Sequence, residues 1–167
     1  VVQSYRPCRS TGPNTVYAQH QRYFDSIVKT PAELVYLNRH GTLKLKKTDD
    51  AETAVLHTRG LIPTSRFLYD LKADIKAWQE EGDILIVMGD FNADIRGDLL
   101  RVFFGDLSMR EIITSKHDPT KAPATFHAGS VPIDGIWASL HIEPLNCGYT
   151  PFVNGFGDHR LPWADLS

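Results

Sequence analysis

The chain has 167 residues, of which 42% are hydrophobic and 23% are charged, and these proportions exclude a disordered chain and suit one domain with a real core. Its formal net charge of −2 means that binding a polyanion requires a local basic patch or a bridging cation. No apolar stretch approaches the roughly 20 residues of a membrane-spanning helix, and nothing at the start is typical of a signal peptide, so the sequence favours a soluble, intracellular protein.

The first part of the chain predicts a strand, a helix and then a long segment of weak pattern. Residues 1–5 have the composition of a core strand, and a domain rarely opens on one, so we expect the chain to be part of something longer. A helix is predicted over residues 15–29. We interpret residues 31–63 as a surface excursion, with a binding loop as the less favoured alternative.

The second part alternates helices and strands. An amphipathic helix is predicted over Arg66–Glu81, closed by Gly82, and a buried strand follows it and ends at Asp90. This succession is typical of an α/β (α+β) protein. Further along we expect a short helix at residues 98–104, a sheet edge at 110–114, and strands at 133–139 and 147–152.

The stretch V-M-G-D-F-N-A-D at residues 87–94 ends the buried strand on polar side chains. Gly89 permits close approach of another backbone, and Asp90 and Asn92 are expected on one side of an extended segment. In sheets covered by helices, ligand-binding and catalytic sites lie beyond the carboxyl ends of the strands, so the motif indicates a metal or phosphate site. A turn in which Asp and Asn bond the backbone explains it equally well.

Two other polar clusters stand out near strand ends. Asp134 interrupts the apolar run I-D-G-I-W and needs a partner, because burying an unpaired ion is costly. Asp158 and His159 lie in a Gly-flanked turn, and histidine exchanges a proton near neutral pH. Taken singly, each is more simply explained as an Asp bonded to its backbone or a solvated loop His.

Together and in this order, G-D-F-N, I-D-x-I and D-H-R resemble the endonuclease/exonuclease/phosphatase superfamily, which hydrolyses phosphoesters with a divalent cation. Tyr5, followed by Arg6 and Pro7, matches the position of an active-site tyrosine in nuclease members. The resemblance implies a four-layer sandwich of two mixed β-sheets covered by helices. It also implies Mg²⁺ (or Mn²⁺) as cofactor and, through Tyr5, nucleic acid as substrate.

The resemblance further implies a role for each residue. Asp90 would activate the attacking water, while Asn92 would hold that water or a phosphate oxygen. His159 would bond the scissile phosphate, with Asp134 accepting its other ring N–H and fixing its tautomer. Asp158 would bind the metal together with Asp90.

Substrate contacts would come from three further side chains in addition to Asn92. Tyr5 would donate its phenolic hydrogen bond to the phosphate, and Arg6 and Arg160 would bind the substrate's negative charge. The core motifs do not indicate which of the superfamily's substrates the protein would cleave. A phosphatase of lipid or inositol phosphates and a catalytically inactive binding module therefore stand as alternatives.

The chain departs from the superfamily pattern in two places. Gly157 stands where a serine usually precedes the D-H pair, and no Asn or Glu precedes Tyr5 to supply the family's first metal ligands. The chain is therefore expected to be one incomplete domain whose N-terminal, metal-binding half is missing. The missing half would be a partner of this portion, and the fragment alone is expected to be inactive.

Overall fold

The computed structural model describes residues 1–7, 12–27, 33–37, 43–47, 63–154 and 157–166. The chain divides into two compact bodies. One holds residues 1–6 and everything from Lys72 onward, and it contains all the candidate site residues; the other holds residues 7–71.

A four-stranded mixed sheet is the centre of the first body, with the strand order β1-β4-β6-β5. Strand β1 (Val2–Tyr5) pairs parallel with β4 (Ile86–Asp90). Strand β6 (Asp134–Ser139) pairs antiparallel with both β4 and β5 (Met109–Glu111). Together with the helices, this mixed sheet confirms the α+β class.

The register of the sheet brings the predicted site positions to one edge. Tyr5 pairs with Asp90 across β1 and β4, and Asp90 pairs with Asp134 across β4 and β6. Gly89 pairs with Ser4 next to them, and a Cβ atom on Gly89 would lie 1.8 Å from the Ser4 carbonyl oxygen. The close backbone approach predicted at Gly89 is therefore present.

Strands β7 (Pro144–Tyr149) and β8 (Pro162–Leu166) form a two-stranded antiparallel sheet. Cys147 belongs to the same buried cluster as Ile136 and Ala138 of β6, so this small sheet packs on one face of the central sheet. On the other face Phe104 stacks on Trp137 with ring centroids 4.3 Å apart, which makes Trp137 a core residue.

Helix α1 (Val16–Ile27) lies in the second body and falls within the predicted span of 15–29. Thr15 caps it by accepting a hydrogen bond from the Ala18 N–H at 3.2 Å. Residues 28 and 29 lie outside the described residues.

Helix α2 (Pro63–Glu80) begins three residues before its predicted start. It ends at Glu80, one residue before its predicted end, and Gly82 closes it as predicted: Gly82 has φ = 91°, and the N–H of Asp83 donates to the Trp78 carbonyl at 3.0 Å. This is the Schellman arrangement, which favours glycine because only glycine enters the left-handed region without steric cost.

Helix α3 (Asp98–Gly105) confirms the short helix expected at 98–104, whereas the sheet edge expected at 110–114 is only partly correct. Strand β5 stops at Glu111, and Ile112–Lys116 form helix α4 instead. The Glu111 carboxylate accepts the Thr114 N–H at 2.5 Å, and this side-chain cap starts the helix where a strand was predicted.

The strand predicted at 133–139 is present as β6, but the one predicted at 147–152 is shifted toward the N-terminus. Pro151 has no N–H to give to a ladder, so β7 ends at Tyr149 and Phe152–Asn154 form a 3₁₀ turn. Strand β8 was not predicted.

Within the excursion predicted at 31–63, the structure describes one two-stranded antiparallel sheet, formed by β2 (Glu33–Leu37) and β3 (Leu43–Lys47). The rest of that segment up to residue 62 lies outside the described residues. Among the helices of the described part, none is both long and apolar enough to cross a membrane.

Candidate active site and metal-binding group

Three potential metal ligands meet at the edge of the central sheet. Asp90 ends β4, Asp134 begins β6, and His159 follows the turn that precedes β8. Each offers one ligand atom, and these atoms all lie within 4.8 Å of one another. Two carboxylates and an imidazole at this spacing are close enough to hold a metal ion.

The pair Asp134 and His159 is hydrogen-bonded. The His159 Nδ1–H donates to Asp134 Oδ2 at 2.9 Å, and the Asp134 residue is only 7% exposed. A carboxylate accepts and does not donate, so this contact assigns the ring proton to Nδ1 and leaves Nε2 for another partner. The buried Asp134 thus has the companion that the sequence required.

The geometry around Asp90 and Asn92 is a side-chain turn. The Asn92 N–H donates to Asp90 Oδ1 at 2.8 Å, and its side-chain amide donates to Asp90 Oδ2 at 3.2 Å and to the Arg6 carbonyl at 2.7 Å. Asn92 has φ = 46°, so the expectation that it continues an extended segment is wrong. Asparagine tolerates this left-handed conformation, and its turn brings it back onto Asp90.

The neighbours of the His159 imidazole shift its pKa. Burial lowers the pKa of His159, but the hydrogen bond to Asp134 and the charges of Asp134, Asp90 and Asp158 outweigh burial, so the pKa lies above its ordinary value. The imidazole therefore keeps its second proton to a higher pH than a solvated one, and the charge of the protonated form suits an anionic ligand.

The carboxyl group of Asp90 is perturbed in the same direction. Burial raises the pKa of Asp90, and the charge of Asp134 adds to the rise, whereas the hydrogen bonds from Asn92 and the charge of His159 lower it. The net pKa is above the ordinary value, which makes the carboxylate a better proton acceptor than a solvated one.

The other predicted site residues are placed differently. Asp158 is exposed, and its carboxylate is not among the three grouped ligands. The Arg6 guanidinium donates to the Phe91 carbonyl at 3.1 Å, beneath the turn that follows Asp90. The main chain of Tyr5 lies opposite Asp90, and its side chain lies outside the described part of the structure.

Arg160 lines the site but is tied to the fold. It donates to the Ala124 carbonyl at 3.1 Å and to the Thr150 carbonyl at 3.2 Å, and it stacks over the Phe152 ring at 4.1 Å. These contacts connect Arg160 to the main chain at Ala124 and at Thr150, so Arg160 has a structural role. Its role toward a substrate stays a prediction.

Gly157 explains one departure from the superfamily pattern. Its φ of 82° is in the left-handed region, where a serine would be strained. The turn before Asp158 and His159 therefore takes a conformation that the usual serine would resist.

The three ligands border a cleft of about 430 Å³, whose other walls include Gln3, Met88 and Arg160. A larger cleft, of about 570 Å³, lies along β5 and holds none of the three. Its arginines are already in ion pairs, as Arg96 with Asp94 at 2.8 Å illustrates. The smaller cleft is therefore the better candidate for chemistry.

Two residues near the site were missed by the sequence analysis. Thr125 is fully buried beside Asp134, and Phe126 packs its ring on His159 with centroids 5.1 Å apart. Neither stands in a charged motif, and the sequence signal was weak: a Thr-Phe pair between Ala124 and His127, a few residues before the I-D-G-I run.

A scan against models of known protein families finds no match to the chain, and no curated protein matches its sequence. The interpretation of the site therefore rests on the geometry described above and on the motifs themselves.

Proposed function

We propose that the protein is a divalent-metal-dependent phosphoester hydrolase, and that it acts as a phosphodiesterase on nucleic acid. The observation that carries the proposal is the hydrogen-bonded pair of Asp134 and His159, set beside Asp90 at the end of one sheet. A cationic donor next to a carboxylate proton acceptor is what attack of water on a phosphate ester requires.

Each of the three residues has a distinct task in this proposal. Asp90 accepts the proton of the attacking water, aided by its raised pKa. His159 donates from Nε2 to a phosphoryl oxygen, because Asp134 occupies Nδ1. Asp134 sets the ring orientation and favours the imidazolium.

The residues present fit a divalent cation. The carboxylates of Asp90 and Asp134 are hard oxygen donors, which suit Mg²⁺ or Mn²⁺, whereas His159 keeps both ring protons in this proposal and is not counted as a ligand. Asp90 would hold the ion, and the predicted part of Asp158 in binding it stays a prediction. Bound there, the ion supplies neutralisation of charge on the phosphate.

Nucleic acid is favoured as substrate by the resemblance of Tyr5-Arg6-Pro7 to nuclease members of the superfamily. The formal net charge of −2 leaves no overall attraction for a polyanion, so a cation and the local charge of His159 must supply it. Membership of the superfamily itself stays a prediction.

The test is hydrolysis of supercoiled plasmid and of a phosphomonoester reporter by the full-length protein, in Mg²⁺ and in EDTA. We expect nicking that requires Mg²⁺ and that falls by about 10²-fold or more in Asp90→Asn, because a positioned base contributes about 10²–10⁴-fold. His141→Gln, a change at an exposed histidine, is the matched control and should leave nicking unchanged.

Nicking that persists in EDTA, or that is unchanged in Asp90→Asn, contradicts the proposal. Cleavage of the monoester alone would move the substrate to a phosphatase, and no cleavage of either would favour a binding module.

A further inference from the structure

Thr125 has no exposed surface, and its hydroxyl accepts two main-chain hydrogen bonds at the start of β6. The Ile133 N–H donates to Thr125 Oγ1 at 2.9 Å, and the Asp134 N–H donates to it at 3.1 Å. A hydroxyl oxygen has two lone pairs, so one side chain satisfies both N–H groups. The hydroxyl thereby fixes the main chain from which the Asp134 carboxylate projects.

The main chain of the same residue holds the other half of the pair. The Arg160 N–H donates to the Thr125 carbonyl at 2.7 Å, and Phe126 forms an isolated antiparallel bridge with His159. Two residues after Thr125, the His127 N–H donates to the Asp158 carbonyl at 2.8 Å. Residues 125–127 therefore run beside residues 158–160 and set the position of the imidazole.

We propose that Thr125 is the positioning residue of the site: its side chain fixes Asp134, its main chain fixes the His159 segment, and together they set the contact between the two. Asp134 and His159 are 25 positions apart and belong to different elements, and they meet at 2.9 Å. Within the described residues, Thr125 bonds the main chain of both segments directly.

The hydroxyl, and not only the volume of the side chain, is required for this role. Valine has nearly the same shape but no acceptor, so it would leave two N–H groups at the start of β6 without partners. A buried donor without an acceptor is costly, and the main chain relieves that cost by moving. Movement of Asp134 lengthens its hydrogen bond to His159.

The experiment compares Thr125→Val with Thr125→Ser by NMR of the protein labelled with ¹⁵N in its histidines, with His159→Gln used to assign the His159 signals. At a pH high enough for the ring to be neutral, we expect the wild type to show the pattern of an imidazole protonated at Nδ1. The valine variant should show a mixture of ring forms, and the serine variant, which keeps the hydroxyl, should keep the wild-type pattern.

Kinetics provide a second readout, which rests on the proposed function. In Thr125→Val, kcat should fall by about 10–100-fold while KM stays within about twofold, as for other residues that orient a catalytic group. Thr125→Ser should restore most of kcat. A merely structural role would lower the amount of folded protein without this difference between kcat and KM.

Folding of each variant is checked by thermal unfolding. If Thr125→Val does not fold, Thr125→Cys takes its place, because sulfur is only a weak acceptor. A folded valine or cysteine variant with the wild-type ring pattern overturns the proposal. The ring spectra need no substrate, so a wild type that cleaves nothing would contradict the proposed function while the spectra still decide the role of Thr125.

Discussion

Asp134 is a buried carboxylate, and its contact with His159 explains how both residues are accommodated. The carboxylate gains a donor, so its burial is tolerated, and the imidazole gains a fixed orientation and a higher pKa. Neither residue alone has these properties. The two residues therefore act as one unit of the candidate site.

The raised pKa of His159 makes a prediction about stability. A histidine whose pKa is higher in the folded than in the unfolded state binds its proton more tightly on folding. Its stabilising contribution is complete below the ordinary pKa of about 6.5 and is lost as the pH rises through the higher pKa of the folded state. The free energy of unfolding should therefore exceed that of His159→Gln at pH 6 by more than it does at pH 9.

Urea unfolding in EDTA at a series of pH values measures this difference. His141→Gln, the same change at an exposed histidine, serves as the matched control. A difference between wild type and His159→Gln that is constant, or that grows with pH, would show that the Asp134 contact does not stabilise the imidazolium.

At this scale the sequence predicts some contacts and not others. That Asp134 needs a partner follows from its apolar flanks, and the ordered motifs supply His159 as that partner. The contacts of Arg160 could not be predicted, because its acceptors are the main-chain carbonyls of Ala124 and Thr150, whose positions depend on the folded loops. The same is true of Thr125, whose acceptor role exists only once β6 has formed.

At the scale of elements, the approach of β1 to β4 positions Tyr5 opposite Asp90. This approach depends on Gly89, where an added Cβ would lie 1.8 Å from the Ser4 carbonyl oxygen. Because that neighbour is main chain and cannot rotate away, the two strands would have to separate. The site edge of the sheet is therefore sensitive to this one position.

We predict that Gly89→Ala lowers the free energy of unfolding by about 1–3 kcal/mol or more, the usual cost of forcing extra atoms into a packed region. Gly105→Ala is the matched control: nothing lies within 4 Å of its added Cβ, and alanine is favoured in a helix by about 0.5–1 kcal/mol. Urea unfolding compares the two. Equal effects would mean that the strands do not pack as closely as the register indicates.

The ends of the helices and strands show which sequence signals predict a boundary and which do not. Helix α2 ends where Gly82 takes a positive φ, a local requirement that the sequence displays directly. Strand β5 ends at Glu111 because its side chain caps α4, a choice that competes with continued pairing and that periodicity does not reveal. Strand β8 has only five residues and follows a polar turn, so its alternation of apolar and polar side chains is too short to predict a strand.

At the scale of the whole molecule, the charge of the chain constrains the proposed chemistry. With a formal net charge of −2, and with Asp90 and Asp134 in the cleft, the protein has no overall attraction for a phosphate diester. Arg6 and Arg160 donate to main-chain carbonyls. These contacts leave the two guanidinium charges in place, and the cationic form of His159 and a divalent ion would add to them in the proposed mechanism.

The claim that Asp134 acts through His159 is tested most directly by a double-mutant cycle. The cycle compares His159→Gln, Asp134→Asn and the double variant, and it measures Mg²⁺-dependent cleavage of a fluorescent oligonucleotide by the full-length protein. If Asp134 acts through His159, the two losses of kcat/KM overlap, and the double variant is no slower than His159→Gln alone. Losses that multiply would contradict this, because they would show that the two residues act independently despite their hydrogen bond.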